Sequence, residues 1–511
     1  MSTPTLTFHG LQPGGPLPEP SPQMQVDYLI VGNSAAGVTA AEQIRRIDQT
    51  GSIAILGREP YPVYGRPLIS YLIEGKTDLD HLYYKDSDFY DRNGIQLFVG
   101  EGSKAEALDP KNHVVTCANG AQITYGRCLL ATGSVPFVPA IPGLESAENV
   151  HSFFTLDDAV GAWEDEREAT RIAHEQGRSS RMVVIGAGLI GMKAAECLSG
   201  FVDQVVVYDR SPRILSAVLD DQGAQVMEGL LAQRGIQCRP GLSVDHAVTD
   251  PATGRVTAVV QTDGETLDCD VVMRCVGVRP DTALAEQAQI QVGRGILCGP
   301  DMATSVPGVY AAGDNTQVTD VITGAARPLA LWPNAVRQGC IAGAHMASVH
   351  LADMGCPLDP AACSGVVDKG SFAVNAVDFF DINLLNAGLV NPSPEDGCIQ
   401  VSGTSQDTYM KFVFRPADSC ADDYVLVGFI ALNRPDNAGL YASLIEQRVA
   451  VSLVGGMDAF KRVANGADPI ANLDFQDGIR WDRTHKGYPA DRDRLGWLAA
   501  DASASVFGKE A

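Results

Sequence analysis

No cysteine precedes Cys117 in this chain of 511 residues, and its twelve cysteines form no Cys-x-x-Cys pair and no Cys/His cluster. That argues against a disulfide framework, a zinc site or an iron–sulfur cluster, so no metal is expected. Single cysteines in apolar runs are more often inert core residues than nucleophiles, and a reducing cytoplasm fits them. Basic charge is also scarce. Against 62 Asp and Glu stand 38 Lys and Arg, a net charge of −24. Such a balance disfavours nucleic acid and anionic membrane surfaces as partners. An acidic, solvated surface does not by itself name a partner. Long uncharged apolar runs are missing, so no membrane span is expected. Residues 1–25 are rich in Pro and Gly and lack a basic segment followed by an apolar one. They are expected to be a flexible or draped extension and not a signal peptide.

What is present is repetition. The segment Tyr28-Leu29-Ile30-Val31-Gly32-Asn33-Ser34-Ala35-Ala36-Gly37 leads to Ala40-Ala41-Glu42. At a distance of 154 positions, Met182-Val183-Val184-Ile185-Gly186-Ala187-Gly188-Leu189-Ile190-Gly191 leads to Ala194-Ala195-Glu196. Each reads as a buried strand, a tight glycine turn and a helix. The missing side chains let backbone N–H groups approach a pyrophosphate, and the positive helix N-terminus faces its charge. Two such turns in register argue for two dinucleotides in one protein. The repeat continues downstream, where Gly120 and Gly133 have the same spacing as Gly264 and Gly277. Each pair brackets a return to an apolar strand (Cys128 to Gly133, Val271 to Gly277). Asp109-Pro110 and Asp250-Pro251 mark turns in the alternating segments before them. Each half therefore reads as a parallel α/β unit with a hairpin-rich insert.

A charged helix is expected over Leu156–Gln176, and a buried strand ends in Gly313-Asp314. A helix follows from about Pro333 to Ser348. From about Ala362 the character changes to α+β, with strands at Tyr409–Phe414 and Tyr424–Leu432 and a helix over Ala438–Leu453. The tail beyond Gly455 is polar and holds Trp481 and Trp497 without a legible motif.

These elements, in this order, resemble the FAD- and NAD(P)H-dependent pyridine nucleotide reductases of the glutathione-reductase superfamily. The branch most resembled holds the NADH:rubredoxin reductases and the flavin half of nitrite reductase large subunits. The specific segments are Pro60-Tyr61-Pro62-Val63-Tyr64-Gly65-Arg66-Pro67-Leu68-Ile69-Ser70, Ala131-Thr132-Gly133-Ser134, Gly277-Val278-Arg279-Pro280, Gly313-Asp314 and Gln338-Gly339. The resemblance implies an α/β fold with two Rossmann-like domains and a C-terminal α+β interface domain. Residues 26–150 and 278–350 would form a split FAD domain, 151–277 the NAD(P)H domain, 351–455 the interface domain and 456–511 a tail.

Carried over, Gly32, Ser34, Ala35, Ala36 and Gly37 would cradle the FAD pyrophosphate, and Glu59 would accept from the adenosine ribose. Arg66 and Pro67 would lie along the flavin or its phosphates, with a surface ion pair as the bland role for Arg66. Ala131, Thr132 and Gly133 complete that wall. Asp314, after Gly313, would bond the ribityl chain, or cap a helix, or both. The helix carrying Gln338 would aim its N–H groups at the flavin, and Trp332 would pack on the cofactor or simply in the core. Gly186, Gly188, Leu189, Ile190, Gly191 and Gly277 would serve the second nucleotide. Asp209, at the end of its strand, accepts ribose hydroxyls and repels a 2′-phosphate. It favours NADH over NADPH, although the neighbouring Arg210 suits a 2′-phosphate.

Two positions depart from the family pattern. Lys193 stands where a glutamate is usual near the nicotinamide, and Tyr71 follows Ser70 where a lysine is usual near the flavin. Neither redox cysteine of the superfamily has a counterpart. The resemblance therefore implies hydride transfer from NADH to FAD and onward electron transfer without a thiol relay. No general acid or base is assigned. The acceptor would be a small redox protein or a partner redox subunit, or else dioxygen, a quinone or a dye. A non-catalytic, NADH-responsive flavoprotein scaffold is the alternative of another class. A homodimer through the C-terminal domain stays open. Docking of an acidic carrier would call on Arg66 and Lys76, and less on Lys369 and Arg434.

Overall fold

A computed structural model describes residues 18–356, 367–417 and 420–473 of the chain. They form two compact units that divide between Asn391 and Pro392.

The first unit holds two parallel sheets built to one plan. In the first sheet the order is Ile95–Val99, Ile53–Gly57, Gln23–Val31, Gln122–Leu130, all parallel. Val309–Ala311 joins the last of these in parallel, after the whole second sheet has intervened in sequence. The hairpin Ala105–Asp109 and Val114–Cys117 runs antiparallel along the same edge of Gln122–Leu130, at its N-terminal end. In the second sheet Ile236–Pro240, Gln204–Asp209, Arg181–Ile185 and Val271–Arg274 repeat that order, with Val150–His151 at the edge. Its insert is the antiparallel set Val244–Thr249, Val256–Gln261 and Thr266–Asp268. The sequence repeat is thus a structural repeat. Central strands such as Ile53–Gly57 are buried on both faces, as strands covered by helices must be. Two crossing segments, Ser134–Pro136 and Val278–Pro280, pair antiparallel between the sheets.

One helix contact depends on small residues. The helix Ala35–Ile47 packs on Trp332–Asp353. A Cβ on Gly339 would sit 2.3 Å from the Ala36 carbonyl oxygen, and one on Gly343 would sit 2.5 Å from that of Ala40. Only glycine lets the two backbones come so close. The second helix runs past both ends of the predicted span, from Trp332 to Asp353.

The hairpin Val374–Phe379 and Ile382–Gly388 turns at Phe380 and Asp381, both left-handed, the signature of a type I′ turn. In the second unit Ile399–Ser405, Thr408–Ala417 and Cys420–Leu432 form an antiparallel set. The helix expected over Ala438–Leu453 ends at Gln447, because Arg448 turns left-handed at φ +50°. A short 3-10 turn covers Val451–Val454. The beginning of the expected tail is a helix, Gly456–Ala464, which buries Phe460. Its ring meets Phe412 and Phe414 edge-to-face at 5.0 and 5.1 Å. At the N-terminus the first strand already begins at Gln23, inside the expected extension. Most of that extension, and Trp481 and Trp497, lie outside the described residues.

Candidate nucleotide site

Both glycine turns are built by the same contacts. Gly32 N donates to Leu56 O at 2.8 Å, and Gly186 N to Tyr208 O at 2.7 Å. Gly32 has φ +127° and a Cβ there would meet Ala131 O at 2.0 Å; Gly186 has φ +106° and would meet Cys275 O at 2.4 Å. Each third glycine closes helix on turn: a Cβ on Gly37 would lie 2.0 Å from Gly32 O, and on Gly191 1.9 Å from Gly186 O. Gly188 is different. A Cβ on it meets nothing within 4 Å, so packing does not require glycine there. The open space at that position is what a ligand phosphate would fill.

A cavity of about 1110 Å³ opens on the first turn. Gly32, Ser34, Ala35, Ala36, Glu59, Arg66, Pro67, Ala131, Thr132, Gly133, Gly313, Asp314 and Trp332 all line it. So do Leu189 and Ile190 from the second turn. Gly37 and Gln338 stand behind this wall. Gln338 Oε1 accepts from Gly313 N at 2.8 Å and from Thr316 Oγ1 at 3.0 Å, and so fixes the Gly313 turn. Gly186, Gly188, Gly191, Asp209, Arg210 and Gly277 lie outside the cavity, on the second sheet's own turn and strand ends.

The helices of the first unit show where charge is expected. Leu156–Glu175 is capped by Thr155 with Asp158, and Asp221–Ala232 by Asp220. Ala35–Ile47, Leu189–Leu198 and Trp332–Asp353 have no side-chain cap. These three begin at cavity-lining residues. Their first N–H groups therefore want an acceptor that the protein itself does not supply. Two dinucleotide pyrophosphates and an electron-rich ring system fit that donor set.

Glu59 and Arg66 pair with each other. Arg66 Nη2 donates to Glu59 Oε1 at 2.5 Å and Nη1 to Phe154 O at 2.6 Å. Tyr64 OH donates to Glu59 Oε2 at 2.6 Å. Each Glu59 oxygen keeps capacity for a ribose hydroxyl. This ion pair is no surface pair, because it stands in the cavity wall. Arg66 is thereby committed, as are Lys76 to Glu74 at 2.6 Å and Arg434 to Val463 O at 2.7 Å. Of the suggested docking cations only Lys369 stays exposed without such a partner.

Asp314 sits in the turn before the strand Thr316–Thr319 and caps no helix. Burial pushes its carboxyl above the ordinary value, opposed by Arg66 and by a hydrogen bond with Ser134. Trp332 lines the cavity and meets Tyr84 edge-to-face at 5.0 Å. Asp209 is half-buried. Its oxygens accept from Ala187 N and Ser211 N, both at 2.7 Å, so it also braces the second turn. Arg210 beside it is exposed.

Among the described residues no thiol lines this wall. Burial pushes Cys117 up to about 11 and Cys128, Cys238, Cys275 and Cys298 up to about 12. Such thiols are protonated and unreactive at neutral pH. Among the described residues no group of three or more metal-ligating side chains is gathered, and no helix is long and apolar enough to cross a membrane.

Some wall residues escaped the sequence reading. Ser103 to Glu106 come from the start of the hairpin insert, and Asp281, Ala283 and Gln287 from beyond the second crossing segment. No local pattern marks them. Tyr61 and Tyr64 lay inside the quoted signature, whose two aromatics were the available signal.

Comparison with known proteins agrees with this geometry. The family described as pyridine nucleotide-disulphide oxidoreductase matches residues 26–339. The chain is 29% identical over 424 residues to the NADH-dependent phenylglyoxylate dehydrogenase subunit epsilon of Aromatoleum evansii, covering 82% of this chain and 91% of that one. It is 30% identical over 389 residues to the nitrite reductase [NAD(P)H] of Bacillus subtilis, covering 76% of this chain but only 44% of that one. The fold is also that of the NADH:rubredoxin oxidoreductase from Clostridium acetobutylicum, at TM-score 0.64 and 20% identity over 86% of this chain and all of that one. With its paired glycine turns and the cavity they open on, the chain belongs to the pyridine nucleotide-disulphide oxidoreductase family and is an oxidoreductase of FAD and NADH.

Proposed function

We propose that this protein takes electrons from NADH onto FAD and passes them to a redox centre in a partner protein or partner subunit, with no cysteine in between. The observation that carries this is the cavity: three helices of ten or more residues open on it uncapped, and among the described residues no thiol lines it. Bound FAD would supply two-electron chemistry with NADH and one-electron chemistry with a carrier.

The chain's own residues do the rest. The first turn and the Gly313 turn, held by Gln338, would anchor FAD along the cavity. Glu59 and Arg66 would meet its ribose and phosphate groups. The second turn would hold the pyrophosphate of NADH, with Asp209 on the ribose and against a 2′-phosphate. Leu189 and Ile190 are where the second nucleotide unit enters the FAD cavity, so the reacting rings would meet there. Asp314 would bond the ribityl chain. A partner protein as acceptor is supported by the likeness to a dehydrogenase subunit over most of both chains. The committed states of Arg66, Lys76 and Arg434 speak for contacts other than a basic patch. A cytoplasmic location fits the ten cysteines whose thiols are described, all unpaired.

The test is anaerobic. NADH should bleach the bound flavin, and a carrier or subunit co-purified from the native source should restore its colour. A protein without flavin, or a flavin that NADH leaves oxidised, would overturn the reading. Restoration by dioxygen or a quinone alone would move the acceptor to a small molecule.

A further inference from the structure

An ammonium group in the cavity wall has no part in the account above. Lys193 stands on the helix Leu189–Leu198 and lines the cavity beside Leu189 and Ile190, with its side chain 15% exposed. Its Nζ donates to Glu196 Oε2 at 2.6 Å and lies 3.8 Å from Asp378 Oδ2. It also lies 4.8 Å from the ring centroid of Tyr71. Tyr71 lines the same cavity, and its hydroxyl donates to Asp378 Oδ1 at 3.0 Å. Lys76 approaches the Tyr71 ring at 5.5 Å and pairs with Glu74 at 2.6 Å. Glu196 Oε1 accepts from Phe380 N at 2.6 Å.

Three separate segments therefore converge on Lys193: the arm after Arg66-Pro67, the helix of the second glycine turn, and the hairpin Val374–Gly388. The two positions that depart from the family pattern, Tyr71 and Lys193, are in contact with each other. The cluster holds two ammonium groups, Lys193 and Lys76, against three carboxylates, Glu74, Glu196 and Asp378. Of these charged groups only Lys193 lines the cavity, next to the place where the nucleotides would react; Lys76 and the three carboxylates stand outside the lining.

We propose that Lys193 is a positioning residue whose charge drives hydride transfer forward. The proposal rests on the NADH-to-FAD reading. NADH gives up a hydride, two electrons with one proton, and becomes NAD⁺ with a positive ring. Bound FAD would take the hydride and gain one negative charge until a solvent proton neutralised it. An ammonium in the shared cavity opposes the first charge and favours the second. Glu196 and Asp378 hold that ammonium in place and temper it.

The experiment uses the full-length flavoprotein and reads equilibria rather than turnover. Lys193→Met should lower the flavin midpoint potential by about 30 mV or more, a tenfold change in the two-electron equilibrium. It should also tighten NAD⁺ relative to NADH by a similar factor, read by direct titration. Lys193→Arg should keep both values near wild type. Glu196→Gln removes a neighbouring negative charge and should raise the potential. Unchanged potentials in Lys193→Met and Glu196→Gln would overturn the proposal, and so would shifts in the same direction, which indicate general disturbance. If Lys193→Met fails to fold, Lys193→Arg and Glu196→Gln decide by the same two readouts. Whether NADH reduces the wild-type flavin is measured first, so a failure of the wider reading is seen separately.

Discussion

A single carboxylate shows how far a residue's setting can outweigh its type. Glu166 lies on the buried stripe of Leu156–Glu175, among Ala162, Trp163 and Ala169. It is fully buried, and burial with Asp270 and Asp165 nearby pushes its carboxyl well above the ordinary range. In the unfolded chain it would ionise near ~4.3. Its folded pKa is raised, so its contribution is fully favourable below the unfolded value and is lost as pH rises toward the folded one. Glu166→Gln should therefore melt close to wild type at pH 4 and increasingly above it toward pH 8. The gap should grow by up to about 1.4 kcal/mol per pH unit in that window. Thermal melts across pH check this, and a gap independent of pH would contradict it. Asp209 is a second case. NADH should reduce the flavin faster than NADPH, and Asp209→Ala should narrow that preference. Because its oxygens also brace Ala187 and Ser211, the variant should bind both nucleotides more weakly. Stopped-flow reduction with each nucleotide separates these effects, and an NADPH preference in the wild type would show that Arg210 dominates.

At the scale of an element, glycines that look alike in sequence have different tasks. Gly188→Ala has room and an ordinary extended backbone, φ −83°. It should leave melting within a few degrees of wild type and FAD content unchanged, while a methyl group in the phosphate space weakens NADH binding. Gly339→Val should do the reverse. Its Cβ would lie 2.3 Å from Ala36 O, so the helices must part. Overpacking of this kind costs about 1–3 kcal/mol or more. It should also displace Gln338 from Gly313 and reduce FAD retention. Melting temperature and bound flavin per chain test both substitutions side by side. The uncapped starts of Ala35–Ile47, Leu189–Leu198 and Trp332–Asp353 belong to this scale too, since a helix that finds its cap in a ligand gains stability when the ligand binds.

For the whole molecule, charge and thiols make separate predictions. The chain is strongly acidic, with a net charge of −24, and three of its four suggested docking cations are engaged elsewhere. Electron transfer to an acidic carrier should then show little more dependence on salt than transfer to a neutral dye. Screening at about 0.15 M already limits surface charge to roughly 8 Å. A steep salt dependence with the carrier alone would mean that a basic patch exists after all. Alkylation should modify Cys356, which is exposed, well before the buried thiols. NADH-to-dye transfer should survive it. Complete loss with the fold intact would reveal a thiol centre.

Local chemistry made the two nucleotide units legible in the sequence. A glycine at positive φ, a third glycine under a helix and a hydrophobic strand are short-range requirements, so Gly32, Gly37, Gly186 and Gly191 announce themselves. The family segments likewise pointed Arg66 and Asp314 to the cavity, while Trp332, left open between cofactor and core, lines it. The helix end at Gln447 was not legible, because one left-handed residue, Arg448, decides it. Nor were the pairing of Glu59 with Arg66, the burial of Glu166, or the entry of Ser103 to Glu106 into the wall. Above all, Tyr71 and Lys193 read as two unrelated departures from a pattern. Only the fold, by laying the helix Leu189–Leu198 against the arm after Arg66-Pro67, turns them into one charged contact. Sequence spacing carries backbone geometry over a few residues; which side chains share a low-dielectric cavity depends on contacts between segments more than a hundred residues apart.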